Sequence, residues 1–106
     1  MDIVKNKGYQ TWITELQMLA LDAPSGNPIL NSALEIAEML IKKNISYGNS
    51  ALNPVRIFSK ANTTEQLMVR LDDKLSRIKN YESFPGDNDI DDMIGYLVLY
   101  KIAKSN

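Results

Sequence analysis

Four segments of the chain repeat apolar residues at helical spacing, and turn-forming residues separate them. The first segment, residues 9–21, predicts a helix that ends before Pro24, because the residue before a proline is pushed out of helical geometry. In the second segment, Asn27 is placed to cap a helix and Pro28 suits its first position, where no amide donor is needed. The apolar pattern predicts that this second helix extends to about Lys43.

The second half of the chain contains a long loop and two further helices. Residues 44–62 lack a helical period, but their apolar side chains favour an ordered loop that packs on the body of the protein. Thr63 and Gln66 fit a capping box at the start of the third helix. The fourth segment, residues 87–103, is apolar on almost every side, so its own chain or a second copy must bury it. Together these patterns predict an all-α, four-helix bundle-like single domain over residues 1–106 that forms a homo-oligomer.

The absence of two residue types excludes more kinds of catalytic and metal-binding site than the net charge does. The 106 residues include no cysteine and no histidine, and the formal net charge is −1. Zinc sites with thiolate or imidazole ligands, disulfides, cysteine nucleophiles and histidine triads are therefore excluded. A near-neutral charge argues against a protein whose main task is gripping duplex nucleic acid. We see no signal-peptide core and no membrane-spanning run, so we expect a cytoplasmic protein without a membrane partner.

Carboxylates recur at a spacing of three residues on two of the predicted helices. Glu35 and Glu38 lie on the second helix, and Asp89 and Asp92 lie at the start of the fourth. Two carboxylates on each of two facing helices would form an all-oxygen site suited to Mg²⁺ or Mn²⁺. The alternative is that the acids at the start of the fourth helix cap it, and that Glu38 forms an ordinary helix pair with Lys42. Capping is the more common role for acids at a helix start.

Basic and hydrogen-bonding residues form a second candidate set, centred on the long loop and the third helix. Arg70, Lys74 and Arg77 follow one another on that helix and would offer a ladder of donors to a phosphate. Alternatively, Arg70 and Arg77 pair with Asp73 on the same surface. The candidate phosphate-binding or nucleotide-binding residues are Lys43, Tyr47, Asn49, Ser50, Arg56, Lys60, Arg70, Lys74, Arg77 and Tyr96.

The acidic motifs resemble those of a known enzyme superfamily. Glu35-Ile-Ala-Glu38, followed by Asp89-Ile-Asp-Asp92-Met-Ile-Gly-Tyr-Leu, is similar to the paired acidic motifs of the MazG-type, all-α nucleotide pyrophosphohydrolases. In that superfamily the first helix carries Glu-x-x-Glu and a later one Glu-x-x-Asp before an apolar run. Position 89 is Asp where that pattern has Glu, which shortens the side chain by one methylene.

Three shorter motifs more closely resemble the small phage and prophage proteins called the nucleotide-modification-associated domain. They are Lys43-Asn-Ile-Ser-Tyr-Gly-Asn-Ser, Asp73-Lys-Leu-Ser-Arg77-Ile and Asp92-Met-Ile-Gly-Tyr-Leu. The resemblance covers roughly residues 30–103 and leaves the first helix unmatched. It implies a small helical oligomer in the bacterial host cell that handles a nucleotide or a related phosphate ligand.

Two functional hypotheses follow from these residues and this resemblance. The first is a magnesium-dependent pyrophosphohydrolase that converts a nucleoside triphosphate to the monophosphate and pyrophosphate. Glu38 and Asp92 would be catalytic, and Glu35, Glu38, Asp89 and Asp92 would hold Mg²⁺ or Mn²⁺. The second is a phage accessory or counter-defence protein that sequesters a nucleotide or signalling nucleotide without turnover. A third, less specific possibility is a protein–protein module that uses its last helix as a dimer interface.

Overall fold

A computed structural model of the chain describes residues 8–80 and 88–105, and within this part it contains four helices and no strand. In chain order they are α1 (Tyr9–Leu21), α2 (Gly26–Tyr47), α3 (Thr63–Lys79) and α4 (Asp89–Ser105). The all-α prediction is confirmed. The expectations for the first seven residues and for residues 81–87 lie outside the described part of the chain.

The bounds of α1 agree with the sequence prediction, but α2 is longer than predicted at both ends. It begins at Gly26 and continues one turn beyond Lys43, because residues 44–47 contain no helix breaker. The helix ends where Gly48 and Asn49 adopt left-handed backbone angles, with φ of 61° and 65°. The amide of Asn49 donates to the carbonyl of Asn44, which closes the helix with the hydrogen bond typical of a left-handed C-cap.

The predicted cap of α3 is wrong by one residue. Asn62 is the cap, and its side-chain oxygen accepts a hydrogen bond of 2.9 Å from the amide of Glu65. Asparagine is a stronger cap than threonine, so the residue before Thr63 takes this role. Thr63 becomes the first helical residue, and its hydroxyl accepts a hydrogen bond of 2.7 Å from Arg56. Gln66 donates its side-chain amide to the loop instead of completing the predicted capping box.

By its internal contacts the chain divides into two compact units, residues 1–35 and residues 36–106. The division falls inside α2, and the single-domain expectation stays a prediction. In the first unit, α1 and the start of α2 approach closely at Gly26. A Cβ atom on Gly26 would collide with the carbonyl oxygen of Ala20, so this position requires a residue without a side chain.

In the second unit, α3 and α4 pack against each other and the C-terminal half of α2 approaches α4. Leu67 of α3 is almost fully buried. Gly95 of α4 is also buried, and a Cβ atom there would lie 2.9 Å from a methyl carbon of Leu40 and 3.2 Å from the terminal carbon of Met39. The absence of a side chain at Gly95 therefore lets α2 and α4 come close together. The packing within this unit is consistent with the predicted bundle-like fold.

One face of α4 remains exposed. Its apolar residues are 38–56% exposed, and they are Ile90, Ile94, Leu97, Val98 and Ile102. Apart from the adjacent pair Leu97 and Val98, they follow one another at intervals of three or four residues and therefore share one side of the helix. None of the helices in the described ranges combines the length and hydropathy needed to cross a membrane.

Candidate functional site

A pocket of about 260 Å³ opens in the second unit, between the end of α2, the turn that follows it, α3 and α4. Met39, Leu40 and Leu99 provide apolar walls. Small-molecule sites usually measure about 300–1,000 Å³, so this pocket suits part of a small ligand, with the rest of the molecule left in solvent.

Two tyrosines and an arginine give the pocket an aromatic and cationic side. Tyr47 and Tyr96 both line it, together with Arg70. The guanidinium carbon of Arg70 lies 5.9 Å from the centre of the Tyr96 ring, at the outer range of a cation–π contact. This contact holds α3 and α4 side chains beside each other and leaves the charge of Arg70 at the pocket wall.

The turn after α2 contributes the polar edge of the pocket. The left-handed backbone at Gly48 and Asn49 reverses the chain and brings Asn49 and Ser50 back beside the helix end. Asn44 donates a hydrogen bond of 2.8 Å to the side-chain oxygen of Asn49, which fixes the two amides relative to each other. Sequence reasoning missed Asn44 because it ended α2 one residue earlier.

An ion-pair network lies beside the pocket and joins three helices. Lys74 of α3 is buried, and its Nζ lies 3.0 Å from Oδ2 of Asp92 and 3.5 Å from Oδ1 of Asp89. Lys43 of α2 approaches the same aspartate, with its Nζ 3.1 Å from Oδ1 of Asp92. Arg77 is more distant, with Nη1 3.9 Å from Oδ1 of Asp89. Asp92 therefore joins α2, α3 and α4 by ion pairs, in addition to their apolar packing.

The start of α4 explains why these aspartates are available for ion pairs. The side chain of Asn88 accepts a hydrogen bond of 3.0 Å from the amide of Asp91, so an amide and not a carboxylate caps the helix. Asp89 and Asp92, three residues apart, then point to the same side and meet α3. Neither alternative from the sequence, capping or metal binding, included this role. The feature of the sequence that could have indicated these ion pairs is Lys74, which lies between Arg70 and Arg77 on α3.

The two most closely paired groups have shifted acid–base equilibria. Burial alone would raise the pKa of Asp92, but hydrogen bonds from Lys74 and Lys43 outweigh it and hold the pKa below its ordinary value. Burial alone would lower the pKa of Lys74, but its hydrogen bond to Asp92 and the charge of that carboxylate raise the pKa above the ordinary value. Both groups are therefore ionised at neutral pH.

The predicted metal ligands do not form one group in the described part of the chain. Among residues 8–80 and 88–105, no group of three acidic side chains is close enough to hold a metal ion. Glu38 is exposed and its Oε1 lies 3.2 Å from Nζ of Lys42, the helix pair that the sequence offered as an alternative. Glu35 is exposed and belongs to the first unit. The space between Asp89 and Asp92 contains the ammonium group of Lys74.

The structure brings together part of the predicted phosphate-binding set. The pocket is lined by Lys43, Tyr47, Asn49, Ser50, Arg70 and Tyr96. The predicted ladder on α3 is divided, because Lys74 and Arg77 are turned towards the aspartates while Arg70 reaches the pocket. Arg56 lines a separate shallow depression near the start of α3, and Lys60 is exposed in the loop.

Comparison with known proteins adds no relative. No protein-family model matches the chain, and neither a curated protein nor a solved structure shows significant similarity to it. The resemblance to the MazG-type enzymes and to the phage domain therefore stays a prediction.

Proposed function

We propose that the pocket binds a small anionic ligand with an aromatic ring, of the class of nucleotides and related phosphates, and that it holds this ligand without turnover. The observation that supports it most is the composition of one pocket wall. Tyr96, Arg70 and Lys43 place an aromatic ring and two cations around a pocket that also has apolar walls. The aromatic side chain can pack against the ring of a ligand, and the two cations can pair with its anionic group.

The charges around the pocket favour an anion. Among the described residues that line the pocket, Lys43 and Arg70 are cations and Asp92 is the carboxylate, and Asp92 is also paired with the buried Lys74. The local excess of positive charge would raise the concentration of a negatively charged ligand at the opening. This local sign contrasts with the formal net charge of −1 for the whole chain.

The polar edge of the pocket suits the rim of a nucleobase or a sugar. Asn44, Asn49 and Ser50 offer both donors and acceptors there. With an anionic group near Lys43, a ring would lie against Tyr96 and the apolar walls. We favour binding over hydrolysis because both aspartates that a metal would need are already paired with lysine or arginine side chains.

The test of this proposal is calorimetric titration with a panel of deoxynucleoside mono-, di- and triphosphates. We expect at least one of them to bind no more weakly in EDTA than in magnesium, because the pocket supplies its own cations, and to be recovered intact. Inorganic phosphate and the free nucleosides are the controls, and each is expected to bind more weakly than the whole nucleotide. The proposal is wrong if the folded protein binds no member of the panel, or if it releases pyrophosphate in a magnesium-dependent reaction.

We propose further that a second copy of the chain covers the exposed face of α4. Asp91, in the first turn of the helix, lies on the side of Ile90 and Ile94 and takes no part in the ion-pair network, and the last two turns carry Lys101 and Lys104. In an antiparallel pair, the acidic start of one α4 would face the basic end of the other, which favours this arrangement electrostatically. Leu97 and its apolar neighbours would form the buried seam.

If a second copy covers the exposed face of α4, a charged residue placed on that face should prevent dimerisation. Leu97→Glu is expected to convert a dimer into a monomer, because it would bury a carboxylate without a partner in the seam. Light scattering coupled to size-exclusion chromatography measures the mass directly. Ile41→Glu, an exposed apolar position on α2, is the matched control and should leave the mass unchanged. A wild-type chain that is monomeric at all accessible concentrations would contradict the proposal.

A further inference from the structure

We infer that the Lys74 ammonium is a built-in counter-cation that stands where a divalent metal would bridge Asp89 and Asp92, so that the wild-type site excludes such a metal. A second inference, which rests on the proposed function, is that Lys43 is the exchangeable partner of Asp92. When the ligand binds, the Lys43 side chain turns away from Asp92 and contacts the anionic group of the ligand.

The position of Lys74 is that of a bridging cation. Its Nζ lies within 3.5 Å of one oxygen from each aspartate, and these two aspartates stand three residues apart on one helix. A magnesium ion between the same side chains would need oxygen atoms at about 2.0–2.1 Å and several waters to complete an octahedron. The Lys74 side chain is only 11% exposed, so the position between the two aspartates has no room for the ion and its waters while Lys74 is present.

Electrostatic repulsion between a divalent ion and the basic side chains of the network would also oppose metal binding. A divalent ion on Asp89 and Asp92 would lie beside the buried ammonium and near Arg77. At such distances the repulsion between like charges is stronger in a poorly hydrated site than in water. The lysine must therefore leave before the aspartates can act as metal ligands.

The two lysines on Asp92 differ in burial, and this difference separates their roles. Lys74 approaches Oδ2 and is buried, whereas Lys43 approaches Oδ1 and its side chain is 49% exposed. If Lys43 turns away towards a ligand, Asp92 keeps Lys74 as its partner and is not left as an unpaired charge. The exchange is therefore inexpensive on the protein side, and Lys43 already lines the pocket.

The experiment uses Mn²⁺ alone, without nucleotide, and follows the spectrum of the free ion by electron paramagnetic resonance. Wild-type protein is expected to leave the free Mn²⁺ signal nearly unchanged. Lys74→Ala is expected to bind one Mn²⁺ per chain at least about tenfold more tightly than wild type, which is a difference of about 1.4 kcal/mol. The double variant Lys74→Ala/Asp92→Asn should lose the gain, and circular dichroism shows whether each variant is folded.

Two outcomes overturn the inference. One is stoichiometric binding of Mn²⁺ by wild-type protein that Asp92→Asn abolishes. The other is a folded Lys74→Ala variant that binds Mn²⁺ no better than wild type. If Lys74→Ala does not fold, Lys74→Gln, which removes the charge and keeps a polar side chain, takes its place in the same comparison, and Mn²⁺ binding no tighter than that of wild type again overturns the inference. None of these results depends on a nucleotide, so a failure of the proposed ligand would be recognised separately.

Discussion

Asp92→Ala is expected to lower the free energy of unfolding by about 3 kcal/mol, at the lower end of the range for removing one partner of a buried ion pair. The substitution leaves the buried Lys74 with Asp89 alone, at 3.5 Å, and removes the contact between Lys43 and α4. We choose the lower end because Asp89 still compensates part of the lysine charge. Chemical denaturation followed by circular dichroism gives the free energy.

Asp91→Ala is the matched control for this stability experiment. Asp91 is the neighbouring aspartate in the same turn, and its backbone amide, which the substitution keeps, is the group that Asn88 caps. We expect a loss of a few tenths of a kcal/mol to about 1 kcal/mol, from a weaker interaction with the helix dipole. Equal losses for the two variants would show that Asp92 acts only as a first-turn acid.

The same carboxylate gives stability a defined dependence on pH. The folded-state pKa of Asp92 lies below the ordinary value of 3.8, so its contribution is complete above that value and is lost as the pH falls through the folded-state pKa. The stability difference between wild type and Asp92→Asn should therefore be constant near neutral pH and shrink below about pH 4. Lys74 has the opposite sign, since its raised pKa makes its contribution complete below 10.5 and lost at higher pH.

Lys43→Met is expected to weaken binding of a nucleotide such as dATP by about 10- to 100-fold, the usual effect of losing a hydrogen bond to a charged group. Lys43 lines the pocket, and its exposed ammonium is the group that we expect to contact the anion. The fold should change little, because a half-exposed ion pair contributes about 0–1 kcal/mol. Calorimetric titration measures the affinity, and denaturation confirms the stability.

Lys42→Met provides a close control for Lys43→Met. Lys42 is the adjacent lysine on α2, but it pairs with Glu38 on the exposed side of the helix and does not line the pocket. Its replacement should change the affinity by less than about twofold, the effect of a distant, screened charge. If both substitutions weaken binding equally, the affinity depends only on the overall charge of the surface, and the proposal that this pocket binds the ligand is wrong.

The place of Gly95 shows how the site depends on helix contacts that are distant in sequence. Met39 and Leu40 can approach α4 because that glycine has no side chain, and both residues line the pocket. In the sequence Gly95 is an isolated glycine within an apolar helix, where it lowers helix propensity. Its function in packing becomes visible only when the two helices are placed side by side.

The sequence by itself determined the secondary structure and the classes of chemistry that are possible. The period of apolar residues placed all four helices, with the bounds of α1 as predicted, because that period follows directly from helix geometry. The predicted helix ends were wrong by a residue or more where neighbouring polar residues compete for one cap, as Asn62 and Thr63 do at α3. The absence of cysteine and histidine excluded their chemistry without any structure.

Only the tertiary structure decided which charged residues meet. Helical spacing shows that Asp89 and Asp92 share a face, and that Arg70, Lys74 and Arg77 follow one another along α3. It does not show how each helix is rotated about its axis, because that rotation is set by side-chain packing between helices. In the folded chain this rotation turns Lys74 towards the aspartates and Arg70 towards the pocket. The residues that suggested a metal-bound phosphate site thus form an ion-pair network, next to a pocket lined by basic, aromatic and apolar side chains.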